Sequence, residues 1–221
     1  MLFETARKIG TDSASRALFS LIGSEGTAGH RYAATLRQIA APTRDVTDML
    51  HIICMLHGTY PGIIDHAIDH TDHPDADAWL EQAALGFAEE RRILAMLVAA
   101  SGPLPSTPGQ AETEAAIIAQ HHALAMLSQS DRVGCAFGTA AALVLDWHAA
   151  RMILNLAASR MGLEIESAPL PTPVDTAAAI DVFAETPAIE RALLFGAQQF
   201  VAQQRGLWSL LEARAVARNH S

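Results

Sequence analysis

Histidine and aspartate crowd one short stretch of the chain. Residues 57–77 hold His57, His66, His70 and His73 together with Asp65, Asp69, Asp72, Asp75 and Asp77. On a helix, residues four apart share a face, which stacks His66 on His70 and Asp65 on Asp69. Two imidazoles on one face chelate a divalent metal, and neighbouring carboxylates supply an oxygen ligand or orient a ring. His66, His70, Asp65 and Asp69 are the metal ligands this spacing suggests, with Asp72 beside them. The same letters also spell a helix C-terminus, where His suits the dipole, followed by an N-terminus that suits Asp. Ile63, Ile64 and Ile68 take the opposite face, which turns the His/Asp face outward.

A second set of polar residues falls on stripes that are otherwise apolar. Glu90, with Arg91 beside it, interrupts the stripe Leu80, Ala83, Phe87, Leu94, Leu97. His121 is bracketed by Ile117, Ile118, Leu124, Met126 and Leu127. The stripe Phe137, Ala141, Val144 leads to His148, Arg151 and Asn155, and Gln199 and Gln203 accompany Ile189, Leu193, Gly196 and Phe200. A buried carboxylate is costly unless paired, and helical bundles build ligand and metal sites from such inward polar residues. Glu90, His121, His148 and Arg151 are the expected interior site, with His148 or His121 as base if the chemistry is acid–base. A plain Glu90–Arg151 ion pair is the competing expectation. His57 ends an apolar helix on the face of Leu50 and Cys54, and opens the corner His57-Gly58-Thr59-Tyr60-Pro61-Gly62. That corner suits a pocket mouth, and His57 joins the candidate ligand-binding residues.

Helices must position all of these. Helical spacing recurs nearly everywhere, and no strand-length stretch alternates with period two. The pattern predicts helices over 11–23, 27–40, 42–57, 61–71, 74–101, 109–129, 131–162, 175–184 and 187–217. Pro42, Pro61 and Pro74 fit first turns. Residues 103–109 and 163–174, rich in proline, read as linkers inside a single helical domain spanning 1–221. The segment Val133 to Leu145 is apolar on nearly all sides, as a buried central helix would be. Gly134 and Gly138 within it offer a groove for close packing.

Composition narrows the function. Half of the 221 residues are hydrophobic, which excludes a disordered chain. The net charge is −9 and no basic cluster exists, which argues against nucleic acid and against acidic membranes. Lys8 is the lone lysine, an arginine bias that points to a GC-rich bacterial genome. Cys54 and Cys135 lie in apolar helical windows and read as reduced thiols, not as a disulfide framework. The N-terminus lacks signal-peptide order, and the longest apolar run is too short for a membrane span. A soluble cytoplasmic protein is expected. Phosphate loops, nucleophile elbows, His-Glu-x-x-His and paired-Cys zinc spacings are all missing.

The length and the four long helices resemble a ferritin-like bundle in architecture. Such di-iron proteins carry Glu-x-x-His on two helices. This chain has only Asp48-x-x-His51, and no His-x-x-x-Glu of the hemerythrin kind, so the resemblance stops short of a di-iron centre. The expectation is an all-α antiparallel helical bundle with short extra N-terminal helices. It would bind a small molecule or a divalent metal at a polar interior site. The alternative is a non-catalytic assembly protein. Phe200, Leu207, Trp208, Leu210 and Leu211 crowd the last helix, and their contiguous apolar surface suggests a homodimer.

Overall fold

The computed structural model describes residues 13–220, with the side chain of Asp75 left aside. The reading of the N-terminus, including Lys8 and the first two residues of the expected helix 11–23, lies outside them. The chain is all-α, and no strand occurs among the described residues. The helices are α1 (Ala14–Glu25), α2 (Arg31–Leu36), α3 (Thr43–His57), α4 (Ile63–Asp69), α5 (Pro74–Ser101), α6 (Gln110–Ser128), α7 (Cys135–Arg160), α8 (Pro173–Phe183) and α9 (Pro187–Asn219).

Local chemistry sets the boundaries. The expected helix over 27–40 is broken into a single 3-10 turn, Thr27–Gly29, followed by α2. The break falls at His30, whose Nδ1 accepts from the Tyr32 N–H at 3.2 Å and caps the new helix. The helix expected over 61–71 is trimmed to α4. Gly62 precedes it, and its N–H donates to Asp65 Oδ2 at 2.8 Å. α7 begins at Cys135, four residues later than expected, because Gly134 caps it in a left-handed conformation with φ of 100°. Thr172 Oγ1 accepts from the Asp175 N–H at 3.2 Å and Pro173 opens α8.

α7 is the centre of the molecule. Every residue from Gly134 to Trp147 is buried, on all sides of the helix. α9 is its main neighbour, and the two run in the same direction. Gly138 lies against Leu193, Gly196 against Cys135 and Thr139, and Asp146 against Gln204. α5 is also parallel to α7, through Trp79–Phe137 (5.2 Å between rings), Phe87–Trp147 (4.9 Å) and Glu90–Arg151. α3 and α6 run antiparallel to α9. The expected antiparallel order therefore holds for those pairs, while α8 and its flanking linker carry the chain back and leave α7 and α9 parallel.

Most of the apolar residues that crowd α9 pack inside the chain, with Leu210 left partly exposed. Leu207, Trp208 and Leu211 are fully buried, and the Trp208 indole N–H donates to Thr27 Oγ1 at 2.8 Å. α1 and the 3-10 turn supply the cover on α9 that the helix pattern by itself could not reveal. Cys54 and Cys135 are both free thiols. Among the described residues, no helix is long and apolar enough to cross a membrane.

Candidate functional site

Two polar centres flank the Trp147 indole. The first is a cleft of about 340 Å³ between α5, α7 and the linker that follows α7. Residues 147/148, 151 and 155 recur at helical spacing on α7 and line one face. Arg151 fills the middle of that face. Its Nη1 donates to Glu90 Oε1, its Nε to Asn155 Oδ1 at 2.7 Å, and its Nη2 to the Glu166 carbonyl. The last bond ties the linker across the cleft, where Ile165, Ser167, Ala168 and Leu170 form the outer wall. Leu170 is seated directly on α5 because Gly86 has no side chain there; a methyl group at Gly86 would lie 2.8 Å from the Leu170 nitrogen.

Three residues that line this cleft each carry a buried polar atom with no hydrogen-bond partner: Glu90 Oε2, Trp147 Nε1 and His148 Nε2. Only two other buried side-chain atoms among the described residues share that condition, Tyr32 Oη and Arg218 Nε. Leaving a buried donor or acceptor unmade costs about 1–3 kcal/mol each, and every such group in a native chain calls for a reason, among them strain, catalysis or a bound water or ion. Glu90 and Trp147 are each 1% exposed, so bulk solvent does not serve them.

The second centre is a small pocket of about 20 Å³, room for roughly one water. His57, Thr59, His66 and His121 line it with Phe87 and Leu124. Thr59 Oγ1 and His121 Nε2 are 3.1 Å apart. His57 Nε2 donates to Gln204 Oε1 at 3.2 Å, which places the ring proton on Nε2. The ring meets the Trp147 indole edge-on, 5.6 Å between centroids. Burial drives the His57 pKa down to about 4; the Gln204 bond opposes this and His121 adds to it.

Behind Gln204 lies Asp146, which accepts from the Thr27 N–H at 2.7 Å, from the Thr27 hydroxyl at 2.6 Å and from the Gln204 amide. Burial raises its pKa to about 6 against the pull of those three bonds. A buried chain thus runs Trp208–Thr27–Asp146–Gln204–His57 and ends at the histidine pocket.

The expected four-residue interior site is therefore divided. Glu90, His148 and Arg151 share the cleft, and the ion pair between Glu90 and Arg151 is present. His121 joins His57 beyond Trp147, because α6 packs on α7, α9, α3 and α4 and not on the α5 side of the cleft. The metal-ligand set is not assembled either. Asp65 is taken by Arg91 Nη1 at 2.8 Å and by the Gly62 N–H. His66 turns to the histidine pocket, while Asp69 and His70 are exposed, His70 lying 3.6 Å from Asp131. Among the described residues no three His, Cys, Asp or Glu stand together as metal ligands.

Four residues that matter were not singled out from sequence as site members: Thr27, Asp146, Trp147 and Gln204. Asp146 carried a usable signal, a charge at the end of an apolar run that continues beyond it. Gln204 did not; Gln199 and Gln203 drew attention, yet both are only half-buried while Gln204 is enclosed. Asp48-x-x-His51 also separates. His51 Nε2 donates to the Gly102 carbonyl at 2.8 Å, whereas Asp48 is clamped between Arg214 and Arg218.

Fold and cleft together define an all-α chain with a polar cavity walled by its own linker. Residues 22–219 match DUF6975, a family of unknown function, and the chain belongs to that family. No curated protein and no solved structure matches it.

Proposed function

We propose that this chain binds a small polar molecule in the cleft between α5, α7 and the 161–172 linker. The observation that carries this reading is that three of the residues lining one cavity, beside a closed ion pair, each hold a buried polar atom with no partner. Pockets for small molecules are largely apolar, with a few placed polar groups, and hold about 300–1,000 Å³. Here Trp147, Ile165, Ala168 and Leu170 supply the apolar wall; Glu90, Trp147 and His148 supply the open hydrogen-bonding capacity. His148 is the group positioned to exchange a proton with a bound molecule.

Native mass spectrometry tests the reading. The freshly purified protein should carry a small-molecule adduct that is released on denaturation. Ala168→Trp, whose indole fills the cleft from the linker side and leaves the core helices' own side chains in place, should lose the adduct at an unchanged melting temperature. A wild-type chain with no adduct, or an adduct equally retained by Ala168→Trp, would count against the cleft.

A further inference from the structure

Donor and acceptor chemistry fixes the direction of every bond in the buried chain from Trp208 to His57. Indole and backbone N–H groups only donate, and an ionised carboxylate only accepts. Trp208 Nε1 donates to Thr27 Oγ1 at 2.8 Å, and the Thr27 hydroxyl and N–H donate to Asp146 at 2.6 and 2.7 Å. Gln204 gives its amide N–H to Asp146, which turns Oε1 toward His57 Nε2 at 3.2 Å. Both arms therefore point their donors at Asp146, and His57 must hold its proton on Nε2.

We infer that Asp146 controls the tautomer of His57 through Gln204: ionised Asp146 holds the ring proton on Nε2, and protonated Asp146 sends it to Nδ1. A protonated Asp146 must donate, and Gln204 is the partner that can turn to receive it. The Thr27 N–H cannot reverse. Thr27 Oγ1 already accepts from Trp208, and a second donor there would leave its own hydrogen without the carboxylate. Rotating the Gln204 amide by half a turn exchanges Oε1 and Nε2 and keeps every bond of the chain. Oε1 then accepts from Asp146, and the amide N–H donates to His57 Nε2, which must be bare. The ring stays neutral: it gives one proton up at Nε2 and takes one at Nδ1, while Asp146 gains one from solvent. A histidine that lines the pocket with Thr59, His66 and His121 thus changes which nitrogen donates and which accepts. This relay is independent of the cleft across Trp147.

The surroundings leave the relay to these groups. Among the described residues no charged side chain bonds to Asp146; Glu25 of α1 and Arg205 of α9 pair with each other at 2.7 Å, and His30 meets Ser209 of α9 at 3.3 Å. Near His57 stand His121 of α6, His66 of α4 and Cys54 on its own helix, while Asp65 of α4 and Arg91 of α5 pair with each other at 2.8 Å. Burial raises Asp146 to about 6 and lowers His57 to about 4, which opens a window where Asp146 is protonated and His57 is still neutral.

Nitrogen-15 spectra of the histidine rings, recorded from pH 7.5 down through that window, test the inference, since two-bond correlations distinguish a bare ring nitrogen from a protonated one. His57→Gln assigns the ring; should it fail to fold, contacts with the Trp147 indole, 5.6 Å away between centroids, assign it instead. His57 should carry its proton on Nε2 at pH 7.5 and on Nδ1 at about pH 5. Gln204→Met, which cannot pass the signal on, and Asp146→Asn, which cannot ionise, should each abolish the change. A proton on the same nitrogen at both pH values, a ring that becomes doubly protonated without first exchanging tautomers, or an exchange that survives in either variant would overturn the relay.

Discussion

Asp146 and His57 sit at the two ends of the Gln204 side chain and respond to pH with opposite sign. Asp146 is raised from an ordinary 3.8 to about 6, so the folded chain binds its proton more tightly than the unfolded chain does. Its contribution to stability is complete below pH 3.8 and is lost as pH rises through about 6. His57 is lowered from 6.5 to about 4. Its contribution is complete above pH 6.5 and is lost as pH falls through about 4. Between those values the two oppose each other. Removing one exposes the other: Asp146→Asn should lose about 2 kcal/mol relative to wild type between neutral pH and about pH 4. Urea midpoints of both proteins across that range measure it. A constant difference would mean that Asp146 does not ionise in a buried setting.

At the scale of elements, two glycines and one linker decide the packing. α7 and α9 meet backbone to backbone at Gly138 and Gly196. A methyl on Gly138 would reach within 2.7 Å of the Leu193 carbonyl carbon, and one on Gly196 within 2.8 Å of Thr139 Oγ1. Alanine in a helix is normally better than glycine by ~1 kcal/mol. Here the clash is with backbone and reverses the sign: Gly138→Ala should destabilise by about 1–3 kcal/mol, and Gly138→Leu by more. A raised or unchanged melting temperature for Gly138→Ala would show that the two helices stand further apart. Gly86→Ala tests the cleft wall separately, since the added methyl meets the backbone of Leu170. The linker should lift, and a glutamate-specific protease should cut faster after Glu164 and Glu166 while the helical circular dichroism stays unchanged. Unaltered cleavage would leave the linker independent of α5.

The whole molecule is closed by an ion network that joins α3 to the end of α9. Arg214 donates to both oxygens of Asp48 (2.7 and 3.0 Å), to Thr113 Oγ1 at 2.8 Å and to Gln110 Oε1 at 3.0 Å. Arg218 donates to Asp48 Oδ2 at 2.6 Å, Asp45 Oδ1 at 2.7 Å and Thr107 Oγ1 at 3.0 Å. Asp48 is fully buried and both arginines nearly so. Breaking such a pair from one side strands a buried charge and costs about 3–5 kcal/mol. Asp48→Ala leaves Arg214 without a carboxylate and Arg218 with Asp45 alone, and should lower the urea midpoint more than any single substitution in the cleft. A loss below ~1 kcal/mol would mean that the C-terminal turns of α9 leave the bundle and reach water.

Periodicity and punctuation alone determined the all-α class, the place of nearly every helix and the central, buried position of α7. Those features are local. The 3.6-residue repeat of apolar side chains, Pro173 and Pro187 at helix starts and the caps at Thr172 and Thr186 act within a few residues of themselves. Glu90 and Arg151 were legible as polar interruptions of apolar faces, and their pairing followed from charge. Which side of Trp147 each polar residue occupies was not legible. Moving His121 from the cleft to the His57 pocket depends on α6 packing away from α5, and no residue on α6 encodes that by itself. The Asp48–Arg214 pair spans 166 positions and Thr27–Asp146 spans 119. Sequence spacing has no signature for contacts at such separations, because they arise only when whole helices dock. Leu207, Trp208 and Leu211 show the same limit from the apolar side. Their crowding on α9 is a local fact, but whether the covering surface belongs to a second chain or to α1 and the Thr27–Gly29 turn is settled by tertiary packing, where burial is shared among segments distant in sequence.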